Sequence, residues 1–239
     1  MKTAVEILQG QEKGKHPYVR PKDAATLIIL DRTGSVPKVL MGRRHEGHVF
    51  MPGRFVFPGG RVESLDTRMT AASEIDAIAA AKLMQGTSPR KARALALAAI
   101  RETFEETGLM LGVKRSPPPS SPGDIWSAFT QAGVHPDLAA LHFIARAITP
   151  PRFARRFDTR FFAVDAQAIA HRIEGFVGPD AELVELVWTP IAETKQMGLH
   201  PITALILEEL EARSLAGFGH DLPVPFFRMK NRRFTRELL

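Results

Sequence analysis

Three glutamates on one face of a helix that must stop at a glycine constrain this chain more than any other feature. Residues 101–109 read Arg-Glu-Thr-Phe-Glu-Glu-Thr-Gly-Leu. Glu102, Glu105 and Glu106 stand at i, i+3 and i+4, so they stack over one another. Leu97, Ile100 and Phe104 fall on the opposite face, where they can be buried while the carboxylates point out. The arrangement is uncomfortable. Like charges at this spacing cost roughly 0.2–0.5 kcal/mol per pair. Acids in a last helical turn also meet the negative end of the dipole, for about 0.3–1 kcal/mol more. Arg101 can offset part of this by pairing with Glu105 at i+4. A divalent cation would offset more, because hard cations seek clustered oxygen ligands. Taken alone, an E-x-x-E-E stretch is most often a solvated acidic face.

A second segment changes that balance. Upstream stands Phe57-Pro58-Gly59-Gly60-Arg61-Val62-Glu63. Together the two segments resemble the Nudix box, G-x5-E-x7-R-E-U-x-E-E-x-G-U, where U is a bulky apolar residue. Arg101, Glu102, Glu105, Glu106, Gly108 and Leu109 fall in place, while Thr103 departs at the first U. Gly60 matches the first glycine, and Asp66 occupies the slot that holds Glu in the family. The box should run about 14 residues from glycine to arginine. Here 41 separate Gly60 from Arg101, so roughly 27 residues interrupt it. This resembles the Nudix branch that includes peroxisomal coenzyme A diphosphatases. Gly47-His48-Val49-Phe50-Met51-Pro52-Gly53, running into Phe55–Gly60, is similar to that branch, as is Arg155–Phe162. Met51 stands where a related coenzyme A motif carries His.

Composition sets the outer bounds. The 239 residues suit one domain with appendages, and 44% hydrophobic content supplies a core. There is no cysteine, so any metal must be held by oxygen or nitrogen. The net charge of +6 favours anionic partners. No apolar run approaches the length of a membrane span. Met1–Pro21 has no apolar stretch typical of a secretory leader, and Arg236-Glu237-Leu238-Leu239 is not a Ser-Lys-Leu address. A cytoplasmic protein is the expectation.

Along the chain, Ala24–Asp31 and Val39–Met41 are predicted as a strand hairpin around Arg32–Ser35, and Phe55–Phe57 as a short strand. Met69–Met84 is predicted as an amphipathic helix within the interruption. Ser88 caps a further helix, with Pro89 at its first position, that carries Ala92 through Thr107. Strands are predicted at Leu109–Leu111, Leu141–Ile148, Arg160–Val164 and Leu183–Trp188, and helices at Trp126–Ala132 and Pro201–Arg213. Helices and strands mix without strict alternation, which points to α+β rather than a doubly wound sheet. The resemblance implies the same: a Nudix-type α/β/α sandwich with a mixed sheet and a helical insertion within the box. The expected boundaries are an N-terminal extension at 1–23, the domain at 24–215 with its insertion at 67–88, and a basic tail at 216–239.

The resemblance implies Mg²⁺ or Mn²⁺ held by Glu102, Glu105, Glu106 and the Gly60 carbonyl. It implies catalytic roles for Glu105, Glu106 and Arg101. A general base outside the box is expected just before Trp188, with Glu182 first and Glu185 second. Glu63 is expected to brace the glycine loop against Arg101. Arg43, Arg44, Arg155 and Arg156 are the candidates for substrate phosphate, since Arg grips phosphate bidentately. His45 and His48 lack the partners a zinc site needs. The expected reaction is hydrolysis of a nucleoside diphosphate linked to another moiety. Coenzyme A or acyl-CoA, giving 3′,5′-ADP and a phosphopantetheine, leads on the branch resemblance. ADP-ribose, dinucleotide or nucleotide-sugar diphosphatase activity is the alternative, and a non-catalytic metabolite-binding regulator comes after it. The substrate is a small molecule; no aromatic-rich segment points to nucleic acid. A homodimer is compatible with the chain.

Overall fold

The computed structural model describes residues 3–10, 15–47 and 52–239. His48 and Met51, part of the branch resemblance, lie outside the described residues. The helices are α1 (Ala4–Gln9), α2 (Ala77–Leu83), α3 (Pro89–Thr107), α4 (Ser127–Ala132) and α5 (Pro201–Leu215). The strands are β1 (Lys22–Asp31), β2 (Lys38–Arg44), β3 (Phe55–Val56), β4 (Gly59–Arg61), β5 (Leu109–Leu111), β6 (Val113–Lys114) and β7 (Val134–His135). They continue with β8 (His142–Ile148), β9 (Phe157–Asp165), β10 (Ile169–Arg172), β11 (Leu183–Pro190), β12 (Pro225–Lys230) and β13 (Arg233–Leu238).

The main sheet runs β11-β2-β1-β9-β8-β12-β13, with β3 on β2 and β4 on β1. Pairs β1–β9 and β8–β12 are parallel and the others antiparallel, so the sheet is mixed. Alternation along the strands divides the core in two. Ala25, Leu27, Ile29 and Leu40 face α2, α3 and α4. Ile28, Leu30, Val39 and Met41 face α5 and Leu8 of α1. The result is the expected α/β/α sandwich.

Helix α3 forms because its start and stop are both encoded. The Ser88 side chain accepts from the Lys91 N–H, Pro89 opens the first turn, and Gly108 closes it at φ 74°. It is far more buried than an amphipathic surface helix, with alanines letting it approach the sheet. Thr103, at the box's apolar slot, is fully buried and donates its hydroxyl to the Ala99 carbonyl at 2.7 Å. The departure from the motif is therefore tolerated by a satisfied hydrogen bond.

Several expectations need correction. The insertion's helix spans only Ala77–Leu83, because Asp76 caps it at Ile78 and Ala79. Met69, Ala79 and Leu83 enter the main core, and the Lys82 ammonium donates to the carbonyls of His220, Asp221 and Leu222. The insertion is thus built into the domain. Residues 216–239 are not a loose tail, since β12 and β13 complete the sheet. Phe226 and Phe227 are buried, and Arg146 sits 4.4 Å over the Phe226 ring. The N-terminal stretch is not wholly an appendage either: Leu8 is buried, and Lys22 and Asp23 already belong to β1.

On the far flank, His142 stacks on His220 with ring centroids 4.3 Å apart and meets the Phe218 ring edge-on. Burial, then the charges of His220, Arg32 and Arg213, push its pKa down to about 4, against a weaker pull from Asp76. The unfolded chain holds that proton more tightly, so stability is complete above about pH 6.5 and falls as pH drops towards 4. We expect a loss on the order of 2 kcal/mol across that window. It is read as the difference in pH slope of the melting temperature between the parent and His142→Gln, because the raised Glu102, Glu105 and Glu106 act in the opposite sense over the same window. An equal pH slope in both proteins would remove this assignment.

Candidate active site

Strand β4 and helix α3 bring the two halves of the box together despite the insertion. Gly59 and Gly60 pair in register with Thr26 and Ala25 of β1. They are strand residues, not a sharp bend, and their lack of a side chain serves close approach. A Cβ on Gly59 would lie 2.7 Å from the Thr26 Cα and against the Ala25 carbonyl. A Cβ on Gly60 would overlap the Glu102 carboxyl group. The first clash is with backbone and the second with the end of a movable side chain. We therefore expect Gly59→Ala to cost about 1–3 kcal/mol of stability. Gly60→Ala should keep its melting temperature but lose turnover as Glu102 is displaced. Thermal melts beside rate measurements separate the two, and equal behaviour of both variants would contradict this geometry.

Arg101 organises the cluster. Only 2% exposed, it donates Nε and Nη2 to the two Asp66 oxygens at 2.8 and 3.1 Å. Nη2 also donates to the Arg61 carbonyl at 2.9 Å, which ties helix to strand. Nη1 donates to Glu102 at 2.9 Å and to Glu105 at 2.8 Å, the latter being the expected i+4 pair. Asp66, completely buried, thus fills the role expected of Glu63. Its Oδ2 also accepts the Glu63 N–H at 2.8 Å and fixes the turn at Ser64–Arg68. Asp in the Glu slot fits because this turn brings the shorter side chain to the guanidinium.

The glutamates are not a solvated face. Glu106 is 5% exposed. It receives a hydrogen bond from the Gly59 N–H, while its Oε2 is buried and without a partner. Burial first, and then the Glu182 charge, raise its pKa well above the usual carboxylate range. Burial pushes Glu102 up to about 7 against the opposing pull of Arg101. Burial also raises Glu105, which is the most exposed of the three. These are carboxylates placed where their charge needs a cation.

Strand β11 delivers the other acids. Arg44 forms an ion pair with Glu182 at 3.1 Å, and both act electrostatically on Glu106. Arg44 shares the sheet face of Leu40, beside α3. Arg43 points to the other face with Val39 and Met41, where it pairs with Glu185 at 2.8 Å. The structure thus brings Glu182 and Arg44 to the box and leaves Glu185 and Arg43 behind the sheet. Arg156 is buried and spends its guanidinium on the carbonyls of Thr149, Pro150 and Val19, so it is not free for substrate. Arg155 is exposed on the same loop, where β9 begins. His45 accepts the Gly47 N–H through Nδ1 at 2.9 Å, a local turn contact.

The donor set available to an ion is Glu102, Glu105, Glu106, Glu182 and the Gly60 carbonyl, all hard oxygens. Among the described residues no three acidic, histidine or cysteine side chains are gathered closely enough to hold an ion as they stand. The reason is the pairing above: Arg101 engages Glu102 and Glu105, and Arg44 engages Glu182. The unpartnered Glu106 Oε2 is the observation that fits a cation. Sequence reasoning missed Asp66 as the partner of Arg101, although its place in the box slot was the signal.

No family model matches the chain, and no curated protein does. Among solved structures the chain is similar to a Nudix hydrolase from Alicyclobacillus acidocaldarius, with 29% identity over 81% of this chain and 92% of that one and a TM-score of 0.61. The Nudix domain of Shewanella oneidensis NrtR, crystallised with ADP ribose, aligns at TM-score 0.47 with 16% identity over 89% of this chain and 99% of that one. A MutT protein from Bacillus halodurans aligns at TM-score 0.46 with 12% identity over 91% and 97%. The first likeness carries the assignment: this chain has the fold of the Nudix hydrolases. With the box residues assembled on that fold, it is an enzyme of the Nudix hydrolase type, acting on a phosphoric anhydride.

Proposed function

We propose that the protein hydrolyses a nucleoside diphosphate linked to another moiety, with Mg²⁺ or Mn²⁺ bound at the box. The supporting observation is Glu106, a buried carboxylate with one oxygen held by Gly59 and the other without a partner. Glu102, Glu105 and Glu106, with the Gly60 carbonyl, would hold the ion, Glu102 and Glu105 exchanging Arg101 for it. The bound ion would supply charge neutralisation on the diphosphate and lower the pKa of water at the site.

The chain's own residues do the rest. Arg44, on the α3 side of β2, grips a substrate phosphate. Glu182 takes the proton from the attacking water. The water oxygen bonds to one phosphorus in line as the anhydride P–O bond on its far side breaks, and the other phosphate leaves with its oxygen. Arg101 touches neither water nor substrate in this reading. It ties α3 to β4 through its fork on Asp66 and its bond to the Arg61 carbonyl, which keeps the two halves of the box together.

For substrate, we place coenzyme A or acyl-CoA first, cleaved to 3′,5′-ADP and a phosphopantetheine product. The support is the interrupted box and the Arg155–Phe162 segment. A panel of CoA, acyl-CoA, ADP-ribose, NADH, a nucleotide sugar and capped RNA, each with Mg²⁺ and Mn²⁺, tests this. The expected outcome is highest kcat/KM on the CoA compounds. Preference for ADP-ribose or a nucleotide sugar would replace the substrate and keep the chemistry. No turnover on any member would favour a ligand-binding regulator instead.

A further inference from the structure

Two guanidiniums neutralise the acids of the box, and they are held very differently. Arg101 bonds to both Asp66 oxygens, the Arg61 carbonyl, Glu102 and Glu105, so it cannot leave without freeing β4 from α3. Arg44 has one ion pair among the described residues, to Glu182 at 3.1 Å. Its side chain is only 12% exposed, yet its Nε is buried without a partner. Glu182 is the open member of that pair, at 40%. Of the two cations, Arg44 is the one whose guanidinium is free to exchange partners.

The same arginine bears on Glu106. Its charge acts on that carboxylate against those of Glu182 and Glu102. Glu106 Oε2 is buried and unpartnered too. One buried donor and one buried acceptor are thus left unmet in a single charge cluster. A buried polar group without a partner is costly, so folding alone gives no reason for either. Both are met when the guanidinium turns to a phosphate oxygen and the carboxylates turn to a cation. Arg43 shows that the neighbouring position carries no such conflict, since strand alternation puts it behind the sheet on Glu185 at 2.8 Å.

We propose that Arg44 is an internal counter-ion that competes with the metal for Glu182 and Glu106, and gives them up when its guanidinium turns to a substrate phosphate. This rests on the hydrolytic reading and adds regulation of the same site. The ion alone is held weakly, and by linkage whatever draws Arg44 away strengthens the ion. The test is Mn²⁺ titration of the full chain without substrate, read by electron paramagnetic resonance. Arg44→Gln should lower the Mn²⁺ dissociation constant at least fivefold. Arg43→Gln removes the same charge one residue away, behind the sheet, and should change it less than twofold. Loss of a merely structural arginine would weaken ion binding or leave it unchanged. In turnover on the best substrate of the panel, Arg44→Gln should at the same time raise KM. If that variant does not fold, Arg44→Met, which keeps the apolar stem, is held to the same thresholds. Weaker Mn²⁺ binding, a gain no larger than that of Arg43→Gln, or an unchanged KM would overturn the counter-ion while leaving the hydrolytic reading in place. No Mn²⁺ binding by parent or variant would overturn both.

Discussion

Glu106→Gln is expected to lower kcat by about 10²–10⁴ while leaving the fold intact. Glutamine keeps the size of the side chain and can still accept from Gly59. It removes the charge from an oxygen that is buried and without a partner. In the free protein that charge is unfavourable, held between Glu182 and Glu102 with Arg44 as the opposing cation. Removing it should not lower the melting temperature. In the working enzyme it is the charge a cation needs, so the loss falls on the chemical step. Because metal and substrate still meet other groups, kcat and kcat/KM should fall together rather than KM rising alone. Steady-state kinetics on the best substrate with Mg²⁺ and Mn²⁺, beside a thermal melt, reads both. Turnover like that of the parent would remove Glu106 from the chemistry. A collapsed melt would mean that Glu106 is structural.

Asp66→Ala should be the most destabilising single change in the box. It strips two charge-assisted bonds from a buried guanidinium, and breaking one side of a buried pair costs about 3–5 kcal/mol. For a domain of this size that corresponds to a drop of roughly 10 °C. The damage extends to the site. Arg101 is held between Asp66, the Arg61 carbonyl and two glutamates, so its release frees β4 from α3. Arg101→Lys should resemble Asp66→Ala, because an ammonium cannot reproduce the fork. Asp66→Glu restores the family's residue and should recover part of the activity. If Asp66→Ala melts within about 1 kcal/mol of the parent, the buried pair is not what holds the two halves together.

Much of this was legible in the residues, for physical reasons. Helix α3 announces itself through Ser88-Pro89 at one end and Gly108 at the other. Its glutamates are legible because their spacing, taken together with the Gly59-Gly60 segment upstream, matches the box. The sheet's central strands are legible as apolar runs. What stayed hidden depends on register and burial. Strands of two or three residues such as β3 and β4 carry no periodicity to read. The β12–β13 hairpin looks like a basic tail, because the arginines that stack on its aromatics or pair across it have the composition of a frayed end. Arg156 looks like a phosphate ligand in sequence, and only coordinates show its guanidinium filled by carbonyls. Arg43 and Arg44 are neighbours in sequence, yet strand alternation sends them to opposite faces. Glu63 and Asp66 were both available to Arg101, and the turn between them decides in favour of the shorter acid.

The assembly of an ion site from two halves of an interrupted box is tested most directly by Mn²⁺ titration followed by electron paramagnetic resonance. The free-ion signal should be quenched by the parent protein. It should persist with Glu102→Gln/Glu106→Gln at the same protein concentration and an unchanged melting temperature. Equal quenching by both proteins, or no quenching by the parent, would show that these carboxylates do not hold the ion.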